Sequence, residues 1–263
     1  MLIYDGVVDF SFDEPQHKYL VKKLVGKDWT IPTPVVGTTT VCGIIAKEAL
    51  IGWSAKTAAY HIRDNLKDLK DLAGLAEEAK REYLNLSKAG RATGSVGHAL
   101  VEALLMGEKY TMPTAKEPLD AATSVKKAFE AWREDFVPEV VKVEEPFYSL
   151  LHNFAGKCDL VATIGGKLTL IDFKTTKTST YNPDGIYADN FCQLGGYLQG
   201  IEEMTGLEIE EAIIVNLPKD GGEYKVRSLS DLGLTKTDAK LWFLNALGTY
   251  NLNGLFSSRV KGG

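Results

Sequence analysis

Two adjacent glycines, Gly165-Gly166, separate two runs that read as strands, Phe154 to Ile164 and Lys167 to Thr175. Glycine tolerates the positive φ that two-residue primed turns require, so this segment is a tight β-hairpin. No other feature constrains the fold as sharply, because a two-residue loop fixes the register on both sides of it. Ile164 faces Lys167, and counting outward sets Asp159 directly opposite Asp172. Alternation then puts Lys174 on the same face. Like charges opposed across a ladder destabilise a sheet. Asp172 also lies inside the apolar run Leu170-Ile171-Asp172-Phe173, where a carboxylate is costly unless it binds something. A divalent cation shared by both acids removes the conflict, and hard oxygen ligands suit Mg²⁺ or Mn²⁺. The ordinary alternative, one aspartate at a strand end and both solvated, suits the apolar setting of Asp172 less well.

Around this hairpin the chain reads as an α/β (α+β) protein, a central mixed sheet flanked by helices. A third strand precedes it, Val140 to Ser149. A helix from Phe191 to Met204 follows, closed by Gly206, and then a buried strand, Ile209 to Leu217. Upstream, Val7 to Phe12 and His17 to Leu24 form an N-terminal hairpin. Helices are expected over Val41 to Leu50, from Ser54 towards Leu86 with a break near Gly74, over Ser95 to Met106, and over Asp120 to Phe136. An exposed strand (Glu223 to Leu229) and a helix (Lys236 to Tyr250) complete the chain. No linker or repeat divides it. The expectation is one domain over 1–263, with elaboration over 1–90, a core over 91–220 and a C-terminal strand and helix over 221–263.

Composition narrows the function classes. The chain has 263 residues and a net charge of −5, which disfavours a purely electrostatic nucleic-acid binder. Its three cysteines lack C-x-x-C spacing, which excludes a disulfide scaffold or a four-cysteine metal site and suits a reducing compartment. There is neither an apolar run long enough for a bilayer nor a signal-peptide pattern at the N-terminus, so the expected location is cytoplasmic, with no membrane partner. No G-x-x-x-x-G-K-[ST] motif is present, so the chain carries no helicase motor of its own.

Asp159, the hairpin and Asp172-Phe173-Lys174 resemble the signature of the PD-(D/E)XK nuclease superfamily, an acid, a hairpin and then Asp/Glu-x-Lys. Further matches are similar to the branch containing RecB-type nucleases, Cas4 and phage or mitochondrial exonucleases. They are Gly94-Ser95-Val96-Gly97-His98 at a helix start, Glu144-Glu145 on the preceding strand, and Gln193-Leu194-Gly195-Gly196-Tyr197 as the Gln-x-x-x-Tyr motif. Thr38-Thr39-Thr40, Lys47 and Trp53-Ser54-Ala55-Lys56 resemble the opening of phage-type members. The cysteines of the iron–sulfur subgroups are missing, so no such cluster is implied.

The resemblance implies a restriction-endonuclease-like core and a deoxyribonuclease using one or two Mg²⁺ or Mn²⁺ ions. Asp159 and Asp172 would hold metal, with the Phe173 carbonyl as a further ligand, while Lys174 positions or deprotonates the attacking water. His98 is a metal ligand or its neighbour by resemblance, and a core histidine by helical pattern alone. Gln193 and Tyr197, four apart on one helix face, orient the active-site strand or the scissile phosphate by resemblance, or simply pack. Glu144 and Glu145 point to opposite faces, so at most one reaches the site, and Glu144-x-x-Phe147-x-Ser149, which resembles the family's pattern, favours Glu144. Lys126-Lys127 and Lys88 to Arg91 are phosphate contacts or solvated faces. The expected substrate is DNA, through linear or single-stranded ends, in phage-type recombination, replication or repair beside a single-strand-binding or annealing protein. A bacterial or phage origin is implied. The rivals are a structure-specific endonuclease with the same site and a catalytically silent nucleic-acid-binding or assembly protein.

Overall fold

A computed structural model describes residues 1–16, 18–45, 48–66 and 72–261. Ten strands form one mixed sheet. β1 (Leu2–Ile3), β2 (Val8–Asp13), β3 (Lys18–Val25), β4 (Asp28–Trp29) and β5 (Thr33–Gly37) come first. α1 (Thr38–Cys42), α2 (Glu48–Asn65), α3 (Leu72–Met106) and α4 (Lys116–Phe136) follow. Then come β6 (Glu139–Ser149), β7 (Phe154–Ile164), β8 (Lys167–Lys174), α5 (Ala188–Thr205), β9 (Glu211–Asn216), β10 (Lys225–Ser228) and α6 (Lys236–Lys261). The sheet runs β1-β2-β3-β5-β7-β8-β9-β10, with β4 on β3 and β6 on β7.

The expected hairpin is present. Gly165 and Gly166 both take positive φ, and Ile164 pairs with Lys167. β8 and β9 are parallel, and α5 is the crossover between them. Helices cover both faces of the sheet. Leu170, Cys158 and Val161 pack with α1, α5 and α6, while Leu160, Ile171 and Phe173 pack with α3 and α4. A smaller apolar cluster, Val8, Phe10, Val21, Tyr148 and Ala155, lies under the N-terminal strands.

The N-terminal half departs from expectation in three ways. α1 begins at Thr38 and ends at Cys42, where the Gly43 N–H closes the turn on Thr39 and Thr40. It therefore does not run on to Leu50. No break falls at Gly74, which lies within α3. Gly94-Ser95-Val96-Gly97 is not a helix start either, because α3 continues through it as a single helix of 35 residues. The reason is packing: a Cβ at Gly97 would lie 2.8 Å from Thr175 Cγ2 and 3.2 Å from Val125 Cγ2. The glycine admits β8 and α4 to the helix surface rather than stopping the helix. At the other end, α6 runs past Tyr250 to Lys261. Lys47 and His17 lie outside the described residues, as does the side chain of Arg91.

Candidate active site

β8 is almost wholly buried, and its alternation is regular. Leu170, Asp172 and Lys174 face α5, while Ile171 and Phe173 face α4, where Phe173 meets the Trp132 and Phe129 rings edge-on at 5.1 and 5.9 Å. Asp172 is fully buried, and neither of its oxygens makes a hydrogen bond. Its Oδ2 lies 2.6 Å from Lys174 Nζ. The ammonium in turn donates to Gln193 Oε1 at 3.0 Å, and Gln193 Nε2 donates to the Tyr197 hydroxyl and to Thr39 Oγ1 at 3.3 Å. Gln193 and Tyr197 share one face of α5, as their spacing requires. Burial opposes the charge on Lys174, but Asp172 and Asp159 outweigh it and hold its proton affinity above the ordinary value.

Asp159 reaches the site differently. The β7–β8 ladder ends at Leu160–Ile171, one pair short of the two aspartates. Cys158 and Leu160 should share a face but pack on opposite sides of the sheet. The alternation of β7 therefore slips by one residue at Asp159. β6 shows the same slip. Val143 pairs with Leu160 and Glu145 with Cys158, while Glu144 between them has a φ of 48°, in the left-handed region. Freed from the ladder, Asp159 Oδ2 accepts a hydrogen bond from the Phe173 backbone N–H at 2.7 Å. Burial, then the neighbouring Asp172 charge, pushes its carboxyl up to about 7.

His98 arrives from α3, with Nδ1 3.9 Å from Asp159 Oδ2. Burial, then the Lys174 charge, lowers its proton affinity, which leaves the neutral imidazole that metals bind. Glu144 is pushed up by burial and by Asp159, and its carboxylate pairs with Lys157. Glu145 pairs with Lys142 at 3.1 Å. Lys126 pairs with Glu130 along α4 at 3.6 Å. The structure thus joins Asp172, Lys174, Gln193 and Tyr197 through direct contacts, ties Asp159 to the Phe173 backbone N–H between Asp172 and Lys174, sets His98 and Glu144 beside Asp159, and leaves Lys126 on an exposed helix face. Thr39 is an addition. Its position in the sequence announces helix α1, but nothing in its spacing announces a contact with Gln193.

The acid pair fits a hard divalent cation. Asp172 Oδ1 is buried with no partner and Oδ2 faces only the Lys174 ammonium, and such carboxylate oxygens are natural Mg²⁺ ligands. No group of three or more His, Cys, Asp and Glu side chains among the described residues is set to hold an ion.

The sequence profile of the PD-(D/E)XK nuclease superfamily matches residues 69–247. Its members generally use divalent metal ions. Among solved structures, the chain is similar to a candidate exonuclease from Eubacterium rectale, with a TM-score of 0.41 and 16% identity over 65% of this chain and 68% of that one. It is also similar to an alkaline exonuclease from Laribacter hongkongensis, with a TM-score of 0.33 and 13% identity over 80% and 97% of the two chains. No curated protein matches at a significant level. The matched span contains the acid pair, Lys174 and the Gln193–Tyr197 pair, and the chain belongs to the PD-(D/E)XK nuclease superfamily.

Proposed function

We propose that this nuclease is a metal-dependent DNA exonuclease acting in recombination, replication or repair. The observation that carries the reading is the buried Asp172 carboxylate, which lacks hydrogen bonds and sits between Lys174 and the Asp159 strand. Asp159 and Asp172 hold one or two Mg²⁺ or Mn²⁺ ions, with the Phe173 carbonyl and His98 available to the same centre. Bound, the ions supply Lewis-acid polarisation of the phosphate and neutralise the charge that builds on it. Lys174, held between Asp172 and Gln193, positions or deprotonates the attacking water and offsets the charge that builds on the phosphate. Gln193 holds the ammonium in place, and Tyr197 and Thr39 hold the Gln193 amide. The substrate is DNA with a free end, inside the cell of a bacterium or phage host, where a single-strand-binding or annealing protein is the natural partner. No described helix is long and apolar enough to cross a membrane.

The test incubates the chain with end-labelled linear DNA and covalently closed circles, in Mg²⁺, Mn²⁺ and EDTA. The expected result is metal-dependent loss of linear DNA with circles intact. Cutting of circles would make the chain an endonuclease, and no cutting with any divalent ion would make it a silent binding protein.

A further inference from the structure

β7 has two different neighbours along one edge. β5 pairs with Phe154 and Ala155, and β8 pairs only from Leu160 onward. Between these, residues 156–159 are bordered by neither strand, so the sheet forks. A cleft of about 370 Å³ opens at the fork. Lys18, Lys157, Tyr19 and Tyr250 line it, together with Thr39 and Tyr197 from the network that holds Lys174. No carboxylate lines it. A second cleft of about 300 Å³, near Thr93, sets Lys116, Lys177 and Lys219 against Glu117, Asp120 and Asp220, and so presents no net charge to an anion. Glu144 pairs with Lys157, so the net positive charge of the fork cleft comes from Lys18, and it stands beside aromatic walls, the chemistry by which proteins hold unpaired nucleotides. Its volume lies at the low end for small-molecule sites, which suits one nucleotide and excludes a duplex.

The two outer tyrosines differ. Tyr19 is fixed between Phe10, stacked at 5.9 Å, and Phe12 at 4.8 Å. Tyr250, on α6, is half-buried, and no other ring packs on it among the described residues. Resting on the nuclease reading above, we propose that the fork cleft takes one unpaired nucleotide of the DNA substrate, its base on Tyr250 and its phosphate towards Lys18. The strand then reaches Lys174 already separated from its complement. Single-stranded or overhanging ends are therefore the preferred substrates, and blunt duplex must fray first.

The test measures binding of the full chain in EDTA, by fluorescence anisotropy, to a short labelled single strand and to the same strand with an abasic site at each terminal position in turn. Tyr250→Ala is expected to weaken binding of the intact strand by roughly five- to a hundredfold, the loss of one stacking partner, while Tyr250→Phe keeps most of it. One abasic position should weaken wild-type binding by a similar factor and leave Tyr250→Ala unchanged, since both changes remove the same contact. Lys18→Ala should flatten the salt dependence. A melting curve checks that each variant is folded. Wild-type cleavage of linear DNA with intact-strand binding unaltered in Tyr250→Ala overturns the cleft assignment and leaves the nuclease reading standing. A wild type that neither binds nor cuts DNA overturns both.

Discussion

β7 and β8 each deliver one aspartate to the same centre, and they do so by opposite means. β8 keeps strict alternation from Leu170 to Lys174, so Asp172 is placed by the same rule that buries Ile171 and Phe173. β7 breaks that rule at Asp159, opposite the left-handed Glu144. The difference shows in the chemistry. Asp172 is a buried carboxyl group whose Oδ2 faces the Lys174 ammonium at 2.6 Å. Asp159 is anchored by a backbone N–H, and its proton affinity lies close to neutrality. The regular strand sets its acid against an ammonium, and the irregular one sets its acid against a backbone N–H. Irregular backbone of this kind clusters at functional sites.

The most severe test of the regular strand is Lys174→Ala. It should lower single-turnover cleavage at saturating DNA by roughly two to four orders of magnitude, the effect of losing a positioned charge or proton-transfer group. Lys174→Arg should rescue poorly, because a planar guanidinium does not replace a compact ammonium. Near wild-type turnover in Lys174→Ala would mean that β8 supplies only packing. Phe173→Ala probes the other face of β8. Its cost should appear in urea unfolding as about 3–5 kcal/mol of stability, since the ring fills space against Phe129 and Trp132. Its backbone N–H would remain to hold Asp159.

The irregular strand is tested by pH. The Asp159 proton is held more tightly in the folded chain, up to about 7 against an ordinary 3.8. Between those values the native state binds more protons than the unfolded state, so stability should fall as pH rises through that window. Melting curves in EDTA across the window should show this decline in the wild type and a flatter profile in Asp159→Asn. An unchanged slope in the variant would place the titration elsewhere. The smallest effects compare two glycines of α3. Gly97→Ala should cost about 1–3 kcal/mol by forcing Thr175 and β8 away. Gly90→Ala meets open space and should stabilise by up to about 1 kcal/mol. Equal melting temperatures for the two would remove the packing role assigned to Gly97.

Much of the core was legible because its signals are local. Gly165-Gly166 announces its turn, β6 to β9 carry β-rich apolar runs, and Gly206 and Pro138 mark helix ends. The placement of Asp172 and Lys174 follows from the same counting. What the sequence hides depends on distant partners. Gly94 and Gly97 look like breaks until Thr175 is seen pressed against them. The slip at Asp159 is invisible to a period-two reading, because the pattern on either side of it is correct taken alone. Thr38-Thr39-Thr40 stands out in the sequence, but not the contact of Thr39 with Gln193, which joins segments that only the fold brings together.

The fork in the sheet also bears on how the chain folds. Thr38 is tied to Ala155 across 117 residues, at the point where β5 joins β7. The entropy of closing such a loop grows only with the logarithm of its length, so the join costs little extra stability. Folding speed is far more sensitive to distant pairings than stability is. The β6–β7–β8 meander can form from near neighbours, whereas Thr39 meets Gln193 only after this distant closure. The N-terminal strands are thus expected to be among the last to dock, and the wall they add beside Lys174 to be in place only once the rest of the sheet exists to receive it.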